Sequence, residues 1–307
     1  MKAESRQLGV SFCDGKIQLA EVERGRKIQL LALAEYKSAL DFGQAGVHLT
    51  ANHPQLGTMV QELGDALKRN KISTRNVSFA LPSDPIFLNV LPVDNSLKGP
   101  RLTAHLQWEI QQHYPDATEK DFVVDATRLG EADTGVSTSL LVAVRRGMVG
   151  FLQKTAQQLK LNLRSVDVDH FAAEEAARIN YPEIKGHSVL LASVRFSGVN
   201  VSVLHDGHLI DYRFFSTQAL ADILPRLVDF VKHFSPRQKV KPPQAILLAG
   251  LSVPPNLIKE LGAKTGTQVL VLNAVRKLKV RGKVYQPFVQ QSHQFAAAIG
   301  LALRAAQ

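Results

Sequence analysis

Three groups of residues in this chain have the types and spacing that chemistry needs. The first is spread over two copies of one pattern. Near the start, Gly9-Val10-Ser11-Phe12-Cys13 leads into Asp14-Gly15, and much later Ser193-Val194-Arg195 leads into Ser197-Gly198, with Ala249-Gly250-Leu251 closing a further apolar run. Glycine-bearing turns at strand ends can clamp a phosphate, because a backbone N–H comes closest to an oxyanion where no Cβ intervenes. A carboxylate beside them, here Asp14, is an oxygen donor of the kind Mg²⁺ takes. The same residues have a plainer reading, since Asp14-Gly15, Gly198 and Asp206-Gly207 suit tight hairpin turns whatever is bound.

The second group is His105, Glu109 and His113, spaced four apart so that they share one face of a predicted helix. A metal would need that face enclosed and a further ligand, and the spacing is not His-Glu-x-x-His, so a polar helix face accounts for it. Trp108, the only tryptophan, adjoins this face; a core position and a binding hot spot both suit its type. The third group is Asp167 and Asp169, a carboxylate pair by spacing, for which an N-cap at Asp169 is the simpler account. A Gly-x-Ser-x-Gly elbow, a Walker loop and a cysteine–histidine signature are missing from the sequence, which lowers the expectation of an independent enzyme.

Elements must position these residues. Gln7 to Phe12, Lys16 to Val22 and Ile28 to Tyr36 are apolar or alternating runs between turn pairs, which predicts a three-stranded meander. Val189 to Arg195, Val199 to Leu204 and His208 to Phe215 repeat that syntax, so the chain reads as two duplicated lobes. Behind the first meander, Leu56, Val60, Leu63 and Leu67 have helical spacing, and a strand follows at Val77 to Leu81. Strands at Ile86 to Val90, Asp121 to Thr127 and Ser139 to Val144, with helices at Leu102 to His113 and Gly147 to Leu159, then make an insertion too long for a loop. A strand at Ser165 to Val168 and a helix to Ile179 return to the first lobe. The second lobe continues with helices at Thr217 to Phe234, Pro254 to Thr265 and Ser292 to Ala306, and strands at Ala245 to Ala249 and Gln268 to Leu272. The expected organisation is a first lobe over 1–80, an inserted α/β subdomain over 81–160, a return helix within 161–185 and a second lobe over 186–307, with mixed sheets flanked by helices.

At 307 residues the chain exceeds one typical compact domain, and 45% hydrophobic with 21% charged residues excludes collagen-like and wholly disordered chains. The single cysteine, Cys13, can form no internal disulfide, which favours a reducing compartment. The absence of an apolar leader, and of any window of about 20 residues free of strongly polar groups, predicts a soluble cytoplasmic protein. The net charge is +10, and no acidic residue follows Glu260, whereas Lys264, Arg276, Lys277, Lys279, Arg281, Lys283 and Arg304 do. Lys232, Arg237, Lys239 and Lys241 stand just upstream. Such a run is either a solvated face or a surface for an anionic membrane or acidic partner; without interleaved aromatics to stack bases, no specific nucleic acid is expected.

Two meanders facing one another across a cleft are how actin-like ATPases hold a nucleotide, and the sequence resembles the PilM-type pilus-assembly family within that superfamily, related to FtsA and the cytoplasmic domain of GspL. The resemblance rests on Val77 to Val93 (VSFALPSDPIFLNVLPV), Leu106 to Pro115 (LQWEIQQHYP), Ser139 to Ala172, Ala245 to Ser252 (AILLAGLS) and Ala296 to Arg304 (AAAIGLALR), which lie in order over nearly the whole chain. It implies an actin-like fold of duplicated ribonuclease-H-like lobes. It also exposes departures. Where the family's first hairpin carries Asp and Gly, this chain has Ser11 and Cys13, and Gln18 stands in place of a lysine. The second hairpin's Asp-Ile-Gly is replaced by Ser193-Val194-Arg195, and consecutive glycines of the nucleoside motif by Ala249-Gly250-Leu251. The resemblance thus implies a degenerate site in which Arg195 fills or bridges the cleft and ATP and Mg²⁺ are not expected; were ATP bound, Asp14, Gly15, Gly198 and Gly250 would support it. By the same resemblance the protein is a cytoplasmic scaffold of a type IV pilus or type II secretion-like assembly machine, and its partner is the cytoplasmic tail of a bitopic inner-membrane protein, held between the first lobe and the insertion. Trp108, Glu109 and Tyr114 are the candidate partner-binding residues, and self-association stays open. An active Mg-ATPase and a basic nucleic-acid binder are the alternatives.

Overall fold

The computed structural model describes residues 6–118, 120–131, 135–217, 219–234, 240–251 and 253–304. Arg237, Lys239 and Ser252, invoked above, lie outside them, as do Ala305 and Ala306, over which the terminal helix was expected to run.

Short turns join β1 (Arg6–Cys13), β2 (Lys16–Glu23) and β3 (Gln29–Lys37) into an antiparallel meander. After α1 (Phe42–Ala45) and α2 (Leu56–Arg69), β4 (Asn76–Leu81) pairs parallel to β1. The chain then leaves to build an antiparallel sheet of β5 (Phe87–Asp94), β6 (Phe122–Glu131) and β7 (Val136–Arg145), with α3 (Pro100–His113) between β5 and β6. Next α4 (Arg146–Gln158) and β8 (Asn162–Val168) return, β8 running parallel to β4, and α5 (Asp169–Asn180) leads into the second lobe. There β9 (Ser188–Arg195), β10 (Gly198–His205) and β11 (His208–Ser216) form the second meander. It is completed by α6 (Ile223–Lys232), β12 (Ala245–Gly250), α7 (Pro255–Thr265) and β13 (Gln268–Val271). The chain closes with β14 (Lys279–Val280), α8 (Gln286–Gln290) and α9 (Ala296–Arg304). The strand orders β3-β2-β1-β4-β8 and β11-β10-β9-β12-β13 match one for one, so the duplication read from the sequence extends to the sheets.

Between the lobes lie α5 and α9, whose alanines let helices and sheets approach closely. Ala173, Ala176 and Ala177 of α5 and Ala296, Ala298 and Ala302 of α9 share one buried cluster with Ala20 and Val22 of β2 and Leu191 of β9. A Cβ on Gly9 would stand 1.9 Å from the Ala298 carbonyl, and one on Gly300 would stand 1.8 Å from the Ala172 carbonyl. Those contacts fix α9 against both β1 and α5, so the C-terminal segment packs on the first lobe although it follows the second.

Several boundaries differ from expectation. Helix α4 was expected inside the 81–160 subdomain, yet Met148, Phe151 and Leu152 are buried with Leu8, Val10 and Phe79 in the first-lobe core, because its apolar face points at that sheet. The inserted sheet with α3 therefore spans β5 to β7. The helix expected from Thr217 shrinks to α6 after a short 3-10 turn at Leu220–Asp222, and Pro225 falls in its first turn, where a missing N–H is tolerated. The two-residue strand β14 is too short for any periodicity, and it adds to the first-lobe sheet beside β3. Among the described residues no helix is long and apolar enough to cross a membrane.

Candidate functional site

The two hairpins meet across the inter-lobe cleft, and a cation occupies the middle of it. Arg195, the last residue of β9, is 2% exposed in a strand that is buried throughout. A buried guanidinium demands opposite charge. Its Nη1 lies 2.7 Å from Asp169 Oδ2, and its Nη2 lies 3.2 Å from Asp84 Oδ2 and 3.5 Å from Asp14 Oδ1. Asp14 sits on the first hairpin, Asp84 between β4 and β5, and Asp169 opens α5, so one second-lobe cation is tied to three first-lobe carboxylates. Burial pushes the Asp169 carboxyl up to about 6 against the pull of Arg195. Burial opposes the charge on Arg195 too, but Asp169 and the other carboxylates outweigh it and hold its pKa above the ordinary arginine value. Burial also raises the Cys13 thiol, which stays protonated.

The glycines of the cleft serve the backbone. Asp14 and Gly15 take φ of +48° and +68° in the turn between β1 and β2. A Cβ on Gly198 would stand 2.3 Å from the Phe215 carbonyl, and one on Gly250 would stand 2.1 Å from the Val194 carbonyl. Each is thus required by strand packing alone. The N-cap expectation for Asp169 is corrected: Val168 is the capping residue, and Asp169 spends one oxygen on the His170 N–H at 2.7 Å and the other on Arg195.

What remains of the cleft, lined by Ser11, Cys13, Gln18, Ser193, Arg195 and Leu251, is a cavity of about 30 Å³. That is room for about one water, whereas sites for drug-sized ligands run to roughly 300 Å³ or more. Gln18, where a phosphate lysine would stand, donates to Glu35 Oε2 at 3.0 Å. The carboxylates that Mg²⁺ would use face Arg195. The residues present do not fit Mg-ATP, and among the described residues no cluster of His, Cys, Asp or Glu is arranged to hold a metal ion.

A buried polar chain leads away from this cavity. His170 Nδ1 is 2.8 Å from Ser193 Oγ and its Nε2 is 2.6 Å from Ser202 Oγ. Ser202 donates in turn to Glu174 Oε1, and Arg178 Nη2 donates to Glu174 Oε2 at 3.1 Å. Since Ser202 gives its proton to Glu174, it must accept from His170 Nε2–H, leaving Nδ1 to accept from Ser193. Burial holds His170 neutral, its pKa lowered to about 3, and lifts Glu174 to about 7. Sequence reasoning missed this chain; its one signal was the i,i+4 spacing of His170 and Glu174 on an otherwise alanine-rich helix.

Glu174 and Arg178 also line a much larger cavity, of about 650 Å³, between the inserted sheet, β8, α5 and the β10–β11 turn. Alternation along β7 builds its floor: Leu141 and Ala143 face α3, while Leu140, Val142 and Val144 face the cavity. Val123 of β6, 40% exposed, and Phe171 add to the apolar wall, and Asp125, Arg128 and the Arg304–Asp167 pair give charge. Strand β6 is the edge of its sheet. The residues singled out as partner contacts lie elsewhere, on the side of the sheet covered by α3. Trp108 is 53% exposed, so it is no core residue. Glu109 lies 3.9 Å from His105, and Tyr114 packs between Phe87 and Phe122 beneath Arg145.

Duplicated lobes with matching sheets, helices packed between them and a cleft between two hairpins define an actin-like fold. Within that class, the chain belongs to the family described as Type IV pilus assembly protein PilM, whose sequence model matches residues 9–216. Among solved structures, the PilM-PilN type IV pilus biogenesis complex contains a chain 18% identical, with a TM-score of 0.78 and 100% of both chains covered. A Bacteroides thetaiotaomicron protein with an actin-like ATPase fold is 13% identical at a TM-score of 0.51, covering 96% of this chain and 97% of that one. The ethanolamine utilization protein EutJ from Carboxydothermus hydrogenoformans is 11% identical at 0.50, covering 97% and 89%. No curated protein sequence matches the chain.

Proposed function

We propose that this type IV pilus assembly protein is a scaffold without ATPase turnover, which holds the cytoplasmic tail of a bitopic inner-membrane protein and is thereby kept at the inner membrane from the cytoplasmic side. The observation that carries the reading is the contrast between the two cavities: about 30 Å³ where the fold would bind nucleotide, and about 650 Å³ with an apolar floor between first lobe and insertion. An extended tail suits the second, since β6 offers an edge for strand addition and Val123, Val142 and Val144 offer seats for alternate side chains. The match to a chain from the PilM-PilN complex supports a partner of this kind. Trp108, exposed on α3, and the half-buried Glu109 would serve a separate contact, with Tyr114 supporting them from the subdomain core.

The test is calorimetric titration with a synthetic peptide of the cytoplasmic tail of a single-span PilN-type inner-membrane protein from the same organism. Val142→Asp should weaken binding at least about ten-fold, the loss of roughly one well-seated side chain. Undiminished affinity in a variant with an unchanged melting temperature would overturn the groove assignment.

A further inference from the structure

We infer that the end of the first-lobe sheet remote from the cleft is a docking surface for an anionic phospholipid bilayer. Register brings the charges together. Arg6 pairs with Glu23, Glu23 with Gln29, and Gln29 with Lys279, so the β2–β3 turn and the segment around β14 lie side by side at that end. The Lys279 N–H donates to the Ile28 carbonyl at 2.9 Å and the Arg281 N–H to the Leu30 carbonyl at 3.1 Å. Two basic stretches far apart in sequence thereby become one surface, on which Arg26, Lys27, Lys277, Lys279 and Lys283 are all exposed. Of the nearby carboxylates, Glu23 is engaged by Arg6 and Arg281 and Glu183 by Arg276, and Glu21 is buried beneath the surface. Among the described residues no ion pair joins those five cations to an acid. Arg75 and Lys160, exposed just before β4 and β8, continue the charge across the width of the sheet.

An aromatic anchor decides for a bilayer over nucleic acid. Tyr285, two residues beyond Lys283, is 60% exposed, and its ring is propped edge-on by Phe288 at 5.1 Å, which rests on buried Phe295 at 4.9 Å. A tyrosine held rigidly beside cations matches the interfacial belt, where amphipathic rings sit at headgroup level. The cations stand on turns and on the short edge strand β14 at a broad sheet end, without a helix to enter a groove or a row of rings to stack bases.

Flotation with phosphatidylcholine vesicles containing about one-third phosphatidylglycerol tests this, and at about 1 kcal/mol, or five-fold, per cation, Lys279→Gln with Lys283→Gln should lower partitioning about 25-fold. Tyr285→Ser should lower it further, pure phosphatidylcholine should bind little, and added salt should release the unaltered protein whether or not the double variant folds. Equal binding to neutral vesicles, insensitivity to salt, or full partitioning by a folded double variant would overturn the inference. Tighter binding to duplex DNA than to these vesicles, independent of Tyr285, would overturn it in favour of nucleic acid.

Discussion

Replacing Arg195 by alanine tests whether an internal cation, and not a ligand, closes the cleft. Removing one member of a buried ion pair costs about 3–5 kcal/mol, because the abandoned partner stays desolvated. Asp169, 7% exposed and 2.7 Å from the guanidinium, carries most of that cost; Asp84 and Asp14 are farther from the cation and more exposed. The pH dependence has a definite sign. Asp169 stands at about 6 in the folded protein, against about 3.9 unfolded, so the folded state holds this proton more tightly. Its contribution favours folding below about pH 4 and is lost as pH rises through 6, amounting to about 3 kcal/mol for a shift of about two units. Without Arg195 the carboxyl climbs further, so the variant loses more stability on the way to neutrality. The deficit should therefore be about 3–5 kcal/mol at pH 8 and shrink towards pH 5, where Asp169 is protonated in both proteins. Urea unfolding at the two pH values measures it. A deficit below about 1 kcal/mol at pH 8, or one equal at both pH values, would refute an ionic latch and leave Arg195 a surface-type contact.

Calorimetry with Mg-ATP should show no low-micromolar binding, which would be about −8 kcal/mol, and Arg195→Gly should not create it, because Ser11, Cys13 and Leu251 still stand where the chemistry needs other groups. Gly250→Ala should lower stability by at least about 2 kcal/mol in urea melts, since its Cβ would lie 2.1 Å from the Val194 carbonyl at a φ of +100°. Ser202→Ala should cost about 1–3 kcal/mol by leaving His170 and Glu174 without their shared partner, and Ser202→Thr should restore part of it. Trp108→Ala should leave melting and groove affinity within about 0.5 kcal/mol; a loss of about 2 kcal/mol in tail affinity would move the tail to the α3 face.

What the sequence made legible was periodic or punctuated. Both meanders, and with them the duplication of the lobes, were readable because their strands are separated by Asp-Gly, Arg-Gly and Ser-Gly turns; the full sheet orders were not, because they rest on long-range parallel pairs. That Ser11, Cys13, Ser193 and Arg195 depart from the hairpin motifs was implied by the family resemblance alone, not by the pattern of the runs. Long-range pairing was not readable. Nothing local says that Arg195 would meet Asp84 and Asp169, that α4 would face the first-lobe core, or that Lys279 would join the edge at Gln29. Residue type left Trp108 open between core and surface; it is exposed because α3 already buries Leu106 and Ile110 on its inner face. His170 was invisible because its partners, Ser193 and Ser202, come from two strands of the other lobe.

On the proposed reading, the absence of nucleotide turnover and the two-lobed shape are connected through the latch. In a fold whose lobes close on a ligand, a site filled at 1,000 times its dissociation constant adds about 4 kcal/mol to the closed form. Removing Arg195 from its buried tie to Asp169 costs a comparable amount, about 3–5 kcal/mol, when the carboxylate is ionised and left stranded. An internal cation can therefore stand in for the bound ligand energetically, but it cannot be released or hydrolysed. The lobes are then held at one separation, and with them the wall of the large cavity, since Asp169 and His170 begin the same helix whose Phe171, Glu174 and Arg178 line it. A nucleotide-driven machine would vary that wall from state to state; a scaffold needs it constant. On this argument, tail affinity should be the same with and without Mg-ATP, yet fall in Arg195→Ala at pH 8 even where the protein remains folded. A nucleotide-dependent tail affinity, or one indifferent to Arg195, would break the proposed connection between latch and groove.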